Sequence, residues 1–141
     1  MRAARNKDSI PKGGIAVRGI RGAITVQEDT REAIWNAARA MMEAVLERNA
    51  LAPAAIGAVI FSMTEDLSAA FPTAGVRQIE GFDLVPLFDA RQCAVEGSLE
   101  KCIRVLVLAD TDKAQAEIRH VYMGKAKELR PDIAPPKIIP N

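Results

Sequence analysis

An arginine stands at the head of an apolar stretch in the segment KCIRVLVLAD, residues 101–110. The four residues that follow Arg104, from Val105 to Leu108, are continuously apolar, which predicts a strand with both faces buried. The guanidinium keeps its charge at any accessible pH, and burying it without a partner costs several kcal/mol. Arg104 must therefore pair with a carboxylate of the protein or with the anion of a ligand.

Other arginines in apolar settings could act together with Arg104. The planar guanidinium suits bidentate recognition of carboxylates, especially when it projects from a rigid element. For any single arginine, a surface salt bridge or a side chain that reaches out to solvent remains an alternative. The pattern alone therefore predicts a binder of a small carboxylated metabolite. The further candidates are Arg21, Arg77 and Arg130, with Arg18 and Arg119 as weaker ones.

Other common catalytic machinery is missing from the sequence. The chain has no G-x-S-x-G motif and no Walker loop, and GIRGA lacks the G-x-G-x-x-G pattern. Cys93 and Cys102 are nine positions apart, which is neither a metal motif nor a disulfide framework. The single histidine, His120, builds no familiar zinc spacing with them.

Composition predicts one globular domain among its 141 residues. The net charge of +1 and an aromatic content of 4% argue against nucleic-acid binding. No apolar run is long enough to span a membrane. Residues 1–14 are basic but precede no apolar stretch, so we expect a flexible leader rather than a signal peptide, and a cytoplasmic protein.

Apolar periodicity predicts the order β-α-β-α-β-β followed by a short terminal element. Segment 117–131 fits either a helix or a short strand followed by a turn. Residues 133–141 are expected to be an irregular tail, so the domain spans residues 15–132. The predicted elements are a strand at 15–26, a helix at 28–49, a strand at 56–64, a helix at 71–81, a strand at 82–90 and a strand at 102–109. Ile34, Ala38, Met41 and Val45 form an apolar stripe along the helix at 28–49, which predicts that this helix packs on the sheet.

Local signals add detail to three of these elements. Asp29 is predicted to cap the long helix, with Glu32 as its reciprocal partner. Arg18 and Arg21 are three residues apart on the first strand, so they should point to opposite faces. Pro86 predicts an edge or a bulge for the third strand.

This order predicts an α+β fold, a mixed β-sheet with helices on one face. Because the strands are too apolar to leave the other face in water, we expect a homo-oligomer that buries it.

Four segments resemble the monofunctional AroH-type chorismate mutases, the class typified by the Bacillus enzyme. They cover nearly the whole chain from Val17 to Asp132, in the family's order. The segments are RGIRGAITVQEDT, AFPTAGVRQI, GSLEKCIRVL and IRHVYMGKAKELRPD.

The resemblance implies a homotrimer that forms a pseudo-α/β-barrel, with active sites at the subunit interfaces. The implied reaction is the Claisen rearrangement of chorismate to prephenate, in aromatic amino acid biosynthesis. It implies no metal and no cofactor, and no partner besides the substrate, the product and further copies of the chain.

The resemblance also assigns roles to individual residues. Arg104 would stabilise the negative charge that grows on the ether oxygen as the C–O bond breaks. Arg21 would hold a carboxylate, and Tyr122 would hydrogen-bond to one. The neighbouring subunit would contribute Phe71 and Arg77. The remaining implied binding residues are Thr73, Leu129 and Arg130.

Three positions depart from the family. Gln92 replaces a glutamate that accepts a hydrogen bond from the ring hydroxyl, which should slow catalysis about ten-fold. Asp89 stands where the family has a small polar residue or a cysteine. It either supplies the carboxylate that position 92 lacks, or faces solvent or pairs with Arg91. Ala74 replaces a lysine found in some relatives.

Because of these departures, two functions other than that of an active chorismate mutase are also considered. One is a trimeric homologue that binds chorismate or a similar dicarboxylate with little mutase activity or with a different reaction. Another is a trimer with only a structural or partner-binding role.

Overall fold

The structure, a computed structural model, describes residues 14–129. The predicted leader before residue 14, the tail at 133–141 and Arg130 lie outside this part of the chain. In the described part, no helix is both long and apolar enough to cross a membrane. The strands are β1 (Ala16–Thr25), β2 (Ile56–Met63), β3 (Leu87–Arg91), β4 (Cys102–Thr111) and β5 (Val121–Met123), and the helices are α1 (Arg31–Arg48) and α2 (Pro72–Val76).

The five strands form one mixed sheet in the order β3-β2-β4-β1-β5, which confirms the predicted α+β fold. Strand β4 pairs antiparallel with β1 and β2, whereas β3 and β5 pair parallel with their neighbours. Strand β3 lies at an edge, as Pro86 predicted. The Pro86 carbonyl, just before β3, still accepts a hydrogen bond from the Val59 amide at 2.9 Å.

The predicted cap of the long helix was wrong by one residue. Helix α1 is capped by Thr30, whose Oγ1 accepts a hydrogen bond from the Ala33 amide at 3.1 Å. The Asp29 carboxylate instead accepts hydrogen bonds from the backbone amides of Ser68 and Ala69. Asp29 and Thr30 are both residue types that commonly cap helices. Thr30 is the cap here because the Asp29 carboxylate is bonded to the loop at Ser68 and Ala69.

Residues 77–86 are mostly non-regular, so the predicted helix 71–81 is too long and the predicted strand 82–90 begins too early. The Arg77 guanidinium stabilises this connection, because its Nη1 donates to the carbonyls of Phe82, Asp83 and Val85 at 2.6, 3.2 and 2.9 Å. Segment 117–131 contains the short strand β5 and a 3₁₀ turn at Gly124–Glu128, so the strand alternative was the better one.

Helices α1 and α2 cover one face of the sheet. The apolar stripe predicted for the long helix is buried there, and Gly22 of β1 lies so close to Met41 that an added Cβ would be 3.0 Å from its sulfur. The buried residues of α1 are Ile34, Ala37, Ala38, Met41, Met42 and Val45.

The opposite face remains largely uncovered within one chain. On β4, Val105 and Val107 face the helices and are buried, whereas Leu106 and Leu108 on the other face are only half-buried. Phe88 also projects from this face and is 64% exposed. The prediction that β4 is buried on both faces is therefore not met by the single chain.

Helix α2 lies directly against α1 at a glycine. A Cβ added to Gly75 would be 2.8 Å from both the Cα and the carbonyl oxygen of Trp35. Because these are backbone atoms, the two helices would have to move apart. Gly75 therefore fixes α2 and the adjacent Phe71 and Thr73 relative to the sheet.

We expect Gly75→Ala to destabilise the fold by about 2 kcal/mol, since the overpacked methyl group meets backbone rather than a movable side chain. Urea unfolding measures this loss. Gly57→Ala is the matched control, because its Cβ would meet only the Leu108 carbonyl at an ordinary 3.7 Å. Equal midpoints for the two variants would contradict the role given to Gly75.

Candidate active site

Strand register brings three of the predicted site residues, Arg21, Arg104 and Tyr122, onto one face of the sheet. Tyr122 pairs with Ala23, Ala23 pairs with Arg104, and Arg104 pairs with Ser62. Paired residues project on the same face, so Tyr122 and Arg104 flank the small side chain of Ala23. Arg21 pairs with Leu106 and is therefore the diagonal neighbour of Arg104.

These residues line one cavity of about 360 Å³ on the face away from the helices. Its charged side chains are Arg21 and Arg104, and Tyr122 supplies a hydroxyl. Most of the remaining wall is apolar, which strengthens the attraction of both arginines for an anion. The other lining residues are Gly22, Ala23, Ile60, Ser62, Val105, Leu106 and Leu129.

Arg104 is partly buried, and its Nε atom has no hydrogen-bond partner. Within residues 14–129 the structure records no carboxylate at ion-pair distance from this guanidinium. The Cys102 thiol lies beside Arg104 and forms a hydrogen bond with it. Burial raises the pKa of this thiol, and the charge and hydrogen bond of Arg104 oppose the rise. Of the two partners considered for Arg104, the ligand anion is therefore the one that fits the described part of the chain.

A 3₁₀ turn at Gly124–Glu128 covers one end of this face. Ala126 is buried against Cys102, Tyr122 and Ala23, and Leu129 packs at the edge of the same cluster. Gly124 begins the turn with φ at +61°, and an added Cβ would be 2.7 Å from Thr25 Oγ1. A glycine is thus required for the chain to turn here and bring Leu129 to the cavity.

Asp89 lies on the other face of the sheet, where it meets α2. Its Oδ2 accepts a hydrogen bond from Thr73 Oγ1 at 2.6 Å, and its buried Oδ1 has no partner. No ion pair with Arg91 is recorded in the described residues. Asp89 and Phe71 line a separate cavity of about 260 Å³, and the Phe71 side chain is 68% exposed.

Gln92 follows β3 and lines a third cavity, also of about 360 Å³, with Thr64 and Leu99 among its walls. Its side-chain Oε1 is buried without a hydrogen-bond partner. Leu99 also packs on the Cys102–Tyr122 cluster, so this cavity adjoins the Arg104 cavity. One chain thus brings together Arg21, Arg104, Tyr122 and Leu129, and places Phe71, Thr73 and Asp89 elsewhere.

Arg77 has a structural task in the single chain, since its Nη1 is occupied by three carbonyls of the following loop. Ala74 is half-buried within α2. Arg130 lies outside the described residues.

The sequence did not indicate how the loop before Phe71 is held. Asp29 Oδ1 accepts the amides of Ser68 and Ala69, each at 3.0 Å, and its Oδ2 accepts the Ser68 hydroxyl at 3.2 Å. Trp35 Nε1 donates to the Phe71 carbonyl at 3.1 Å. The start of α1 therefore anchors the backbone of this loop while the Phe71 ring projects outward.

Comparison with known proteins identifies the class of protein to which this fold and cavity belong. Residues 17–133 match the family model described as chorismate mutase type I. A solved structure of a chorismate mutase from Clostridium thermocellum superposes with a TM-score of 0.77 at 39% identity, covering 79% of this chain and 98% of that one. The chain belongs to the type I chorismate mutases.

Two named relatives support the same assignment. Chorismate mutase AroH of Thermus thermophilus is 52% identical over 118 residues, which cover 83% of this chain and 96% of that protein. Chorismate mutase AroH of Bacillus subtilis (strain 168) is 42% identical over 118 residues, which cover 84% and 93%. The resemblance drawn from the four sequence segments is thereby confirmed.

The carboxylate of Asp29 makes stability depend on pH. The hydrogen bond from the Ser68 amide is the largest cause that lowers its pKa below the ordinary value of an aspartate. A carboxylate with a lowered pKa in the folded state stabilises the fold above its unfolded pKa, and this contribution is lost as pH falls through the folded pKa.

We therefore expect Asp29→Asn to be less stable than the parent near neutral pH. The difference in stability between the two proteins should shrink as pH falls below about 4, because the parent carboxylate then becomes protonated and is neutral like the asparagine. Urea midpoints measured from about pH 7 to about pH 3 test this. A difference that stays constant with pH would contradict it.

Proposed function

We propose that this protein catalyses the rearrangement of chorismate to prephenate at the cavity lined by Arg21, Arg104 and Tyr122. The observation that carries the proposal is the partly buried Arg104, which has an unpartnered Nε and adjoins a second arginine on an apolar floor. Membership of the type I chorismate mutases supplies the reaction. Chorismate carries two carboxylates and an ether oxygen, which together fit a phenol and two guanidinium groups.

Arg104 acts on the bond that breaks. As the ether C–O bond lengthens, negative charge grows on its oxygen, and a fixed guanidinium stabilises this charge more in the transition state than in the ground state. Since Arg104 projects from the central strand β4, it needs little rearrangement during the reaction. Arg21 and Tyr122 bind the carboxylates, and the site as a whole holds the enolpyruvyl arm over the ring in a reactive conformation.

The active unit is a homotrimer whose sites lie between subunits. The face that carries the cavity is apolar and largely uncovered in one chain, with Phe88 64% exposed and Val17 62% exposed. An uncovered apolar face of this kind favours association. The exposed Phe71 ring, together with Thr73, Arg77 and Asp89, then completes the cavity of the neighbouring subunit. Arg130, which follows Leu129 in the sequence, is the remaining substrate-binding residue.

The position of the negative charge near the substrate ring distinguishes this chain from its family. Gln92 can accept a hydrogen bond from the ring hydroxyl, but it supplies no charge to the positive ring. Asp89 supplies that charge from the neighbouring subunit. Thr73 orients its carboxylate by donating a hydrogen bond to Oδ2, while the buried Oδ1 has no partner among the described residues.

The family assignment favours this function over a homologue that only binds a dicarboxylate. Arg104 discriminates between the two as well, because a cation at the ether oxygen serves the reaction and is not needed for binding the carboxylates. A cytoplasmic location accords with the role in aromatic amino acid biosynthesis.

Replacing Arg104 by alanine should lower kcat by about 10³-fold or more, since a charged donor to the developing oxyanion is lost. The loss of chorismate absorbance with time measures the rate. Arg39→Ala is the matched control: Arg39 is also half-buried with an unpartnered Nε, but it lies on α1 and bonds Gln78. Equal loss of activity in both variants, or an active Arg104→Ala enzyme, would refute the mechanism.

A double-mutant cycle tests whether Asp89 replaces the family's glutamate. We expect Asp89→Asn, which removes only the charge, to lower kcat about ten-fold. Gln92→Glu in the parent should gain less than about three-fold, because the carboxylate of Asp89 is already present. In the Asp89→Asn background, Gln92→Glu should restore most of the lost rate.

The opposite pattern would assign Asp89 a structural role. In that case Asp89→Asn would leave kcat unchanged, and Gln92→Glu would raise it by the same factor in both backgrounds. Thermal melting of each variant separates a loss of charge from a loss of folded protein.

A further inference from the structure

The histidine at position 120 contacts the strand that carries Arg21. Its Nδ1 accepts a hydrogen bond from the Arg21 backbone amide at 3.0 Å. His120 immediately precedes β5, in which Tyr122 lies opposite Ala23. The imidazole thus joins the two strands that supply the carboxylate-binding groups of the cavity.

A buried amide fixes the backbone on the other side of His120. Asn49, 3% exposed at the end of α1, accepts the Arg119 amide with Oδ1 at 2.8 Å and donates with Nδ2 to the Arg119 carbonyl at 3.0 Å. It also donates to the Val45 carbonyl at 2.9 Å. A continuous set of hydrogen bonds therefore runs from α1 through Arg119 and His120 to Arg21.

Strand β5 needs such support because it has only three residues and lies at the edge of the sheet. A strand this short forms few ladder hydrogen bonds, so each additional hydrogen bond to β1 contributes to holding its register. A shift of β5 relative to β1 would move the Tyr122 hydroxyl away from Arg21. The His120 bond fixes this register at the residue that also provides the guanidinium.

We propose that His120 is a positioning residue for the substrate's carboxylate: acting through Arg21 and Tyr122, it sets the distance between the guanidinium and the phenol. This inference rests on the proposed mutase function. It requires an Nδ1 that carries no proton, hence a neutral ring with its proton on Nε2. Because Arg21 and Tyr122 hold the carboxylate in both the ground state and the transition state, His120 should affect KM rather than kcat.

Two variants of equal shape isolate the hydrogen bond. His120→Asn places Oδ1 where Nδ1 was and so retains a hydrogen-bond acceptor for the Arg21 amide. His120→Leu introduces a side chain of the same shape as asparagine that has no acceptor. For His120→Leu we expect KM for chorismate to rise about three- to tenfold, with kcat within about twofold of the parent. His120→Asn should recover most of this loss.

Nuclear magnetic resonance gives a readout that needs no variant. The chain contains one histidine, so protein labelled with ¹⁵N-histidine shows a single type of imidazole. At neutral pH its spectrum should be that of the tautomer protonated at Nε2. A ring protonated at Nδ1 would overturn the proposal even if His120→Leu failed to fold.

The kinetic outcomes are also decisive. Equal KM values for the leucine and asparagine variants, or a loss confined to kcat or to melting temperature, would refute the positioning role. Failure of the proposed function is distinguishable, because the parent protein itself would then leave chorismate unchanged.

Discussion

The ten-residue antiparallel pairing of β1 with β4 is the constraint on which the rest of the site depends. Its register, from Ala16 opposite Thr111 to Thr25 opposite Cys102, decides which side chains face the helices and which face the cavity. A slip of one residue would turn Arg104 towards α1 and expose the buried valines. The close packing at Gly22 opposes this slip, because a Cβ at that position would be 2.9 Å from Val105 Cγ1 and 3.0 Å from the Met41 sulfur.

The same pairing explains how an arginine is retained in an apolar setting. In the free protein, the Arg104 guanidinium is partly removed from water and its Nε has no hydrogen-bond partner, which lowers the free energy of unfolding. Cys102, buried beside Arg104, offers a weak hydrogen-bonding group and no compensating charge. An anion that enters the cavity recovers part of this cost, and an anion whose charge grows during the reaction recovers more. On the proposed mechanism, the side chain that is left unpaired in the free protein is therefore the one that stabilises the transition state.

How much could be predicted from sequence depended on whether the decisive contact was local. The apolar stripe of α1 follows from periodicity, and it was predicted correctly. The helix cap was predicted wrongly, because the amides that donate to the Asp29 carboxylate lie 39 and 40 residues away in sequence and leave no local pattern. The Arg77 bonds that hold residues 82–85 are likewise visible only in three dimensions. For the cavity, the arginine pattern predicted an anion site, and only the resemblance of four segments predicted the substrate.

The sheet itself limits how the remaining site residues can meet. Asp89 pairs with Phe61 and faces α2, whereas Arg104 pairs with Ser62 and faces away from the helices. No side-chain rotation brings two residues together across a packed sheet, so one chain cannot join Asp89 to Arg104. The carboxylate of Asp89 therefore reaches a substrate only if that substrate is bound to another copy of the chain. The catalytic role proposed for Asp89 thus requires an assembly of at least two copies of the chain.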